Sequence, residues 1–252
     1  MNIIKPSSPM WSKPNERSKL ETECLFGEKI QIVEIYKNRW VYGELLTDNY
    51  KGWIKKNDLG KLSFATHRII ANRSFYFEEK DIKSNCINYL PLGSQLHVKK
   101  ITKKWAHIET IYNNHIKTVF VPSIHVVDIN RKFVDWVMIA ENLLNTPYKW
   151  GGRDSVGLDC SSLLQLSYQT YGQKIPRNSS DQFRLNKRII TNQTELKRGF
   201  VVFWKGHVGI MVDNTNCIHA NAFHMRTVIE PLSEIIIRLG KKNEILKIKD
   251  FN

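Results

Sequence analysis

Residues 150–172 leave this chain few ways to fold. Gly151-Gly152 and Gly157 mark a loop, and Asp159 is a good helix-cap type. From Ser161 onward Leu163, Leu164, Leu166, Tyr168 and Tyr171 recur with rough helical spacing, and Gly172 can close the helix. Cys160 is therefore expected at a helix N-terminus. A thiol is a usable nucleophile only as thiolate, which a helix N-terminus or a neighbouring histidine favours. His207 stands between glycines before the apolar run 208–212, expected as a buried strand, and His219 lies on a second short strand, Cys217-Ile218-His219-Ala220. Two histidines on adjacent strands facing a helix-terminal cysteine suffice for a base and a residue that orients it.

An isolated cysteine is usually a small core hydrophobe, and Cys24, Cys86 and Cys217 are read that way. His67, His97, His107, His115, His125 and His224 are read as surface or satisfied core residues. Order, flanking glycines and helix context set Cys160, His207 and His219 apart from these. A zinc site is rejected, because no Cys-x-x-Cys or His-Glu-x-x-His spacing occurs and one cysteine with two histidines lacks a fourth ligand nearby. No metal and no cofactor are expected.

Asp159-Cys160-Ser161, then Gly206-His207-Val208-Gly209-Ile210, then Ile218-His219-Ala220, resembles the NlpC/P60 family of papain-like cysteine peptidases, which cut cell-wall peptides. Thr146-Pro147-Tyr148-Lys149-Trp150-Gly151-Gly152 is similar to the family's segment before the nucleophile, and Pro176-Arg177-Asn178-Ser179 to its Pro-Arg-x-Ser loop. The resemblance implies Cys160 as nucleophile, His207 as general base and His219 as the polar residue orienting His207. The family usually has glycine where this chain has Ser162. The extra hydroxymethyl is expected to be tolerated in a first helical turn, narrowing the space behind the nucleophile.

Residues 1–128 show no helical period. Short apolar runs at 29–36, 40–46, 52–55, 95–101, 105–111 and 118–122 are separated by polar turns, among them Asn113-Asn114, as in small antiparallel barrels. The pattern occurs twice. Leu25-Phe26-Gly27-Glu28, Trp40 and Gly52-Trp53-Ile54 are echoed weakly by Leu90-Pro91-Leu92-Gly93, Trp105 and Val119-Phe120-Val121-Pro122. The first copy resembles bacterial SH3-like domains; the second rests mostly on the repeat. From Arg131 the period changes, and 132–144 reads as an amphipathic helix through Phe133, Trp136, Val137, Ala140, Leu143 and Leu144. Strands are expected near 200–204, 208–212, 217–220 and 244–248. The expected architecture is thus an α+β papain-like catalytic domain at 129–252, preceded by two small all-β SH3-like barrels at 1–62 and 63–128.

The chain of 252 residues is 42% hydrophobic and 11% aromatic, which fits packed cores and excludes disorder. Its net charge of +14 invites a nucleic-acid reading. The lysines are spread along the chain, however, and pairs such as Lys99-Lys100 and Lys103-Lys104 suit a solvated hairpin face. The aromatic and basic interleaving of nucleic-acid readers is missing, so no nucleic acid is expected as partner. The first residues, Met-Asn-Ile-Ile-Lys-Pro, hold no apolar signal core, and no run approaches transmembrane length. A cytoplasmic location without membrane partners is expected. Four cysteines, one needed as a free thiol, cannot all pair, which suits a reducing compartment.

Within the family, cytoplasmic recycling enzymes resemble this chain in carrying N-terminal SH3-like domains. The resemblance implies cleavage of the γ-D-glutamyl–diamino acid bond of peptidoglycan-derived peptides with a free N-terminal L-alanine. It also implies substrate contacts from Tyr50 of Asp48-Asn49-Tyr50-Lys51-Gly52-Trp53, from Asp159 and Ser161, and from Ser179. Two alternatives stay open: an exported hydrolase acting on intact wall, and a non-catalytic wall-binding protein. Cys160 is expected to be the only cysteine alkylated rapidly near neutral pH.

Overall fold

The computed structural model describes residues 1–112, 115–191, 195–240 and 244–252. The expected turn at Asn113-Asn114 lies outside the described residues. The chain divides into two compact units, Met1–Arg131 with Arg153–Ser155, and Lys132–Gly152 with Val156–Asn252. Among the described residues no helix is long and apolar enough to cross a membrane.

The first unit is all antiparallel sheet joined by two 3-10 turns. One five-stranded sheet runs Leu20–Leu25, Ser7–Trp11, Lys51–Lys55, Trp40–Leu45, Ile30–Tyr36 in spatial order. Its core is Ile3, Met10, Cys24, Ile30, Val41, Leu45, Ile54 and Leu59. A second five-stranded sheet runs Cys86–Pro91, Arg73–Phe77, His115–Pro122, Trp105–Tyr112, Val98–Ile101, beside a three-stranded sheet. Its core draws on Tyr76, Leu90, Leu96, Ile108, Val119 and Val121. The strand Ser7–Trp11 escapes the sequence reading because Pro6 and Pro9 look like breakers. Proline is tolerated there because this strand pairs with Lys51–Lys55 only at Trp11. Cys86 departs from its expected core position: it is exposed, on the edge strand of its sheet. Gly27, at φ +81°, is fixed by a close approach, since a Cβ there would lie 1.8 Å from the Gln95 carbonyl oxygen.

The second unit is α+β. Its helices are α1 (Val137–Asn142), α2 (Cys160–Gln169), α3 (Ser179–Arg184) and α4 (Leu232–Leu239). Its strands are labelled β1 (Ile189–Ile190), β2 (Phe200–Trp204), β3 (His207–Met211), β4 (Asn216–Asn221), β5 (Arg226–Pro231) and β6 (Lys247–Asp250). They form one antiparallel sheet in the order β1-β6-β2-β3-β4-β5. One face of that sheet buries Phe200, Val202, Trp204, Met211, Cys217 and Ile248 with Leu232 and Ile235 of α4. Helix α2 packs against β3 and β4.

Two expected elements are corrected. The helix expected at 132–144 is only α1, six residues long. The Phe133 N–H donates to the Thr170 carbonyl at the end of α2 instead of entering a helix, and Asn145, at φ 64°, turns the chain away after Leu144. The strand expected at 244–248 falls at β6, later and more polar. There Lys249 is buried, its ammonium donating to the carbonyls of Phe183 and Leu185 at the end of α3, while Ile248 fills the core.

The least expected buried contact is a charge pair in the first unit. Arg153 is fully buried and donates from Nη1 and Nη2 to the two oxygens of Glu28, each at 3.0 Å. Its N–H reaches Glu23 Oε2 and Nη1 the Glu23 carbonyl, both at 3.0 Å. Burial works against its charge, but the Glu28 carboxylate outweighs burial and holds the guanidinium protonated. Arg153→Met would leave the buried Glu28 carboxylate without its counter-charge, holding only the Leu25 N–H, expected to cost roughly 3–5 kcal/mol. Urea unfolding of the full chain checks this, and a loss below about 1 kcal/mol would show the pair to be dispensable.

Candidate active site

Asp159 is the N-cap of α2, in extended conformation, and its carboxylate is crowded with donors. Oδ1 accepts from Ser162 N–H at 2.9 Å, Ser161 Oγ at 3.1 Å and Arg177 Nη1 at 2.9 Å. Oδ2 accepts from Gly151 N–H at 2.9 Å and Arg177 Nη2 at 2.7 Å. Ser162 completes a capping box: its Oγ accepts from Asp159 N–H and donates to the Asp159 carbonyl, both at 2.9 Å. The serine that replaces the family's glycine thus works for the helix start, closed against the Asp159 backbone. Burial alone would raise the Asp159 carboxyl, but the Arg177 charge and these N–H donors hold it below the usual carboxylate range.

Arg177, in the Pro-Arg-x-Ser loop, reaches into this corner. It bridges Asp159, Ser161 Oγ at 2.8 Å and the Gly152 carbonyl at 3.3 Å. Gln182 of α3 fastens the same loop, its amide donating to the Ser161 and Pro176 carbonyls, both at 2.9 Å. Neither residue was given a role from sequence, although Arg177 stood within a quoted motif.

Cys160 is the first residue of α2 and is 8% exposed. Burial, and after it the Asp159 carboxylate, push its thiol up to about 12, while backbone hydrogen bonds from Val208 and Ser161 and the charge of Arg177 work the other way. The expected thiolate therefore meets a stronger opposing effect. The helix N-terminus is present, but its capping carboxylate and the apolar surroundings favour the neutral thiol.

The Val208 backbone bond places that thiol one residue from His207, which opens β3 after the tight turn at Lys205-Gly206. Gly206 takes φ +73°, left-handed backbone that favours glycine. His207 Nε2 and His219 Nδ1 are hydrogen-bonded at 2.8 Å. Gly209 is required by close packing on the next strand: a Cβ there would lie 2.5 Å from Cys217 Sγ. His219, on β4, is buried and continues through Nε2 to Glu230 Oε1 on β5 at 2.7 Å. Burial, then His219 and Arg238, hold the His207 imidazole down to about 3. Burial also lowers His219, although Glu230 opposes it.

The structure thus brings Asp159, Cys160 and Ser161 together at the start of α2 and joins His207 to His219. Ser179 opens α3, half-buried, two residues beyond Arg177. Tyr50 belongs to the first unit, packed partly against the core of its first sheet, with its hydroxyl donating to Glu21 Oε2 at 3.1 Å. Its turn is held by Asp48 Oδ1, which accepts from Tyr50 N–H at 3.0 Å. Glu230 escaped the sequence reading altogether, because 226–231 had not been read as a strand.

Residues 145–237 match the NlpC/P60 family, and residues 10–59 match the bacterial dipeptidyl-peptidase Sh3 domain. The chain carries an NlpC/P60 peptidase domain behind a bacterial Sh3 domain. It is 25% identical over 238 residues to dipeptidyl-peptidase 6 of Lysinibacillus sphaericus, covering 87% of this chain and 86% of that one. It is also 25% identical over 242 residues to the γ-D-glutamyl-L-lysine dipeptidyl-peptidase of Bacillus subtilis strain 168, covering 86% and 77%. The crystal structure of an NlpC/P60 family protein from Bacillus cereus ATCC 10987 superposes with a TM-score of 0.84, at 18% identity, covering 99% of this chain and 98% of that one. That likeness establishes a shared fold.

Two outcomes are expected from the site's electrostatics. His207 and His219 bind protons less readily folded than unfolded, so the stability they contribute is complete above their ordinary value of 6.5 and is lost as pH falls toward their folded values. The thermal midpoint should therefore drop already above the carboxylate range, and His207→Gln should flatten that part of the curve; an unchanged curve would contradict the burial of this imidazole. Brief iodoacetamide treatment near neutral pH should label exposed Cys86 before buried Cys160, by peptide mapping. Exclusive labelling of Cys160 would show that its thiolate is stabilised after all.

Proposed function

We propose that the chain is a cysteine peptidase that hydrolyses the γ-D-glutamyl–diamino acid bond of peptidoglycan-derived peptides bearing a free N-terminal L-alanine. The observation that carries the reading is a cysteine at a helix start whose thiol takes a backbone bond from Val208, next in sequence to His207 of an ordered histidine pair, within an NlpC/P60 domain. The bond and substrate class are supported by the name of the Bacillus subtilis relative and by the Sh3 domain ahead of the peptidase domain. We read the two five-stranded sheets of the first unit as two SH3-like domains, at 1–62 and 63–128, ahead of a papain-like domain at 129–252.

In this mechanism His207 acts through Nδ1, since its Nε2 is engaged by His219. The Cys160 proton passes to Nδ1 as Sγ attacks the scissile carbonyl, whose oxygen becomes the oxyanion. The Cys160 N–H, in a first helical turn with no intrahelical acceptor, faces that charge. Return of the proton from Nδ1 to the leaving nitrogen breaks the C–N bond and leaves a thioester. Water then attacks the thioester, giving its proton to Nδ1; the C–S bond breaks and the thiolate recovers the proton. His219 makes and breaks no bond; it orients and stabilises the imidazolium. Because both Cys160 and His207 rest neutral, transfer accompanies attack and no stored ion pair precedes it.

Asp159 and Ser161 shape the wall of this corner. The carboxylate already accepts five hydrogen bonds, two of them from Arg177, so its charge reaches a substrate ammonium only after much neutralisation. Tyr50, Ser179 and Ser161 complete the proposed substrate contacts, and the family resemblance supports each of them.

Cys160→Ala and His207→Ala should each abolish release of the diamino acid from L-Ala-γ-D-Glu-meso-diaminopimelate, read by mass spectrometry, with the double variant no worse than either. N-acetylating the alanine should lower kcat/KM for the wild-type chain roughly ten- to a hundredfold, from loss of a charge-assisted contact. Tyr50→Ala should produce a comparable loss with the free peptide and a smaller further loss on acetylation. Turnover by Cys160→Ala ends the cysteine mechanism. Indifference to acetylation, with cleavage of insoluble wall, moves the assignment to a wall-cutting hydrolase.

A further inference from the structure

The hydrogen-bonded row at the site does not stop at His219. Glu230 stands on β5, and its Oε1 lies 2.7 Å from His219 Nε2. In the antiparallel register His219 faces Val228 and Cys217 faces Glu230, so the carboxylate reaches His219 diagonally on the same face of the sheet. Arg238 of α4 clamps it from the far side, Nη1 to Oε2 at 2.8 Å and Nη2 to Oε1. The guanidinium in turn stacks over the Phe223 ring, 4.6 Å from its centroid. His224 approaches Glu230 Oε2 at 3.4 Å. Burial works to raise the Glu230 carboxyl, but the bonds from Arg238 and His219 overcome it and hold it down at about 2. The group is an anion at every working pH.

An ionised carboxylate can only accept. At 2.7 Å it therefore requires the proton of His219 on Nε2. The Asn221 amide nitrogen also lies 3.1 Å from that Nε2, with the Asn221 Oδ1 occupied by the His224 N–H at 2.8 Å. The closer and charged partner decides the tautomer. His219 Nδ1 is then a lone pair, and at 2.8 Å it must accept from His207 Nε2–H. With its own proton on Nε2, His207 is left with a lone pair on Nδ1, the form a general base for Cys160 needs.

We propose that Glu230 is a positioning residue for the reaction, the fourth member of the row Cys160, His207, His219, Glu230. By fixing the tautomer of His219 it presents the Nδ1 lone pair of His207 to the thiol, and its charge steadies the imidazolium formed when that lone pair takes the proton. Arg238 keeps it ionised and fixed in place. The inference rests on the assignment of Cys160 and His207 as nucleophile and base, and makes no use of the substrate's identity.

The charged and titratable groups facing the row set its expected pH behaviour. They are Tyr148, Asp159, Cys160 and Arg177 on the α2 side, His224 in the β4–β5 turn, and Arg238 with Glu234 on α4. Glu230 is the anion bonded to His219. Glu230→Gln should lower kcat roughly ten- to a hundredfold with KM little changed. It should also move the acid limb of the kcat profile to lower pH, because the imidazolium loses its counter-charge. Glu230→Asp keeps the charge and should leave the acid limb near its wild-type position even where kcat falls.

The deciding measurement needs no variant and no turnover. In the full chain labelled with 15N-histidine, long-range 1H–15N correlation spectra should show His219 neutral with its proton on Nε2, and His207 likewise. A proton on Nδ1 of His219 overturns the proposal. So does a folded Glu230→Gln protein, with Cys160 still titratable by a thiol reagent after unfolding and a native spectrum before it, whose kcat and acid limb match wild type. A kcat loss without movement of the acid limb, and with the tautomer unchanged, would make Glu230 merely structural and equally overturn it. Failure of the wild-type chain to cut the tripeptide sinks the substrate assignment alone, since the tautomer is read independently.

Discussion

The buried ion pair between Asp159 and Arg177 is the contact on which the second unit's chemistry depends. It joins three stretches of chain that sequence leaves far apart: the glycine loop before the nucleophile, the first turn of α2, and the Pro-Arg-x-Ser loop. A carboxylate at an N-cap is favourable by itself, through the helix dipole and two otherwise unpaired N–H groups. Buried beside a thiol, the same carboxylate is a liability, because it repels the thiolate that catalysis must form. Arg177 resolves the conflict. Its bidentate fork neutralises Asp159 without displacing any capping donor, and its own charge is among the influences that favour the ionised sulfur.

The histidine side of the site is built on a different principle. Strands β3, β4 and β5 are neighbours in one antiparallel sheet, and the side chains of the row are contributed one per strand. The two imidazoles meet edge to face, with their planes 67° apart. Gly209 on β3 is required by the neighbouring strand, since a Cβ there would lie 2.5 Å from Cys217 Sγ. The glycine after the first histidine of the motif is therefore a packing requirement against Cys217, whereas Gly206 before it answers a turn with positive φ.

What could be read in advance followed from local rules. A capping residue before a helical period located Cys160 correctly at the first position of α2, and glycine-bounded apolar runs located β3 and β4 to within a residue. Where tertiary contacts decide, local rules failed. The apolar spacing over 132–144 suggested a full helix, yet the backbone at Phe133 is drawn off by the end of α2. The last strand was expected three residues early, at 244–248, because nothing local reveals that Lys249 meets the carbonyls of Phe183 and Leu185 at the end of α3. Glu230 and Arg238 could not be paired from sequence, since one lies on a strand and the other on a helix that packs over it. A helix terminus is visible in sequence, but the burial around it, which raises the Cys160 thiol, is not.

Cys160 and His207 are both pushed toward their neutral forms, and the proposed mechanism starts from there. A preformed thiolate–imidazolium pair would need the opposite shifts, and it would gain nothing from a carboxylate held at one remove from the base. With neutral partners the charge appears only during attack, on a base whose far nitrogen is already bonded to His219 and, through it, to Glu230. Stabilising that transient charge accelerates the reaction without deepening the resting state, which is the condition for lowering a barrier. Burial suppresses ionisation of the thiol in the absence of substrate. The row of side chains from Glu230 to Cys160 is thus best understood as a device for making charge at the moment of bond formation, on a scaffold that otherwise suppresses it.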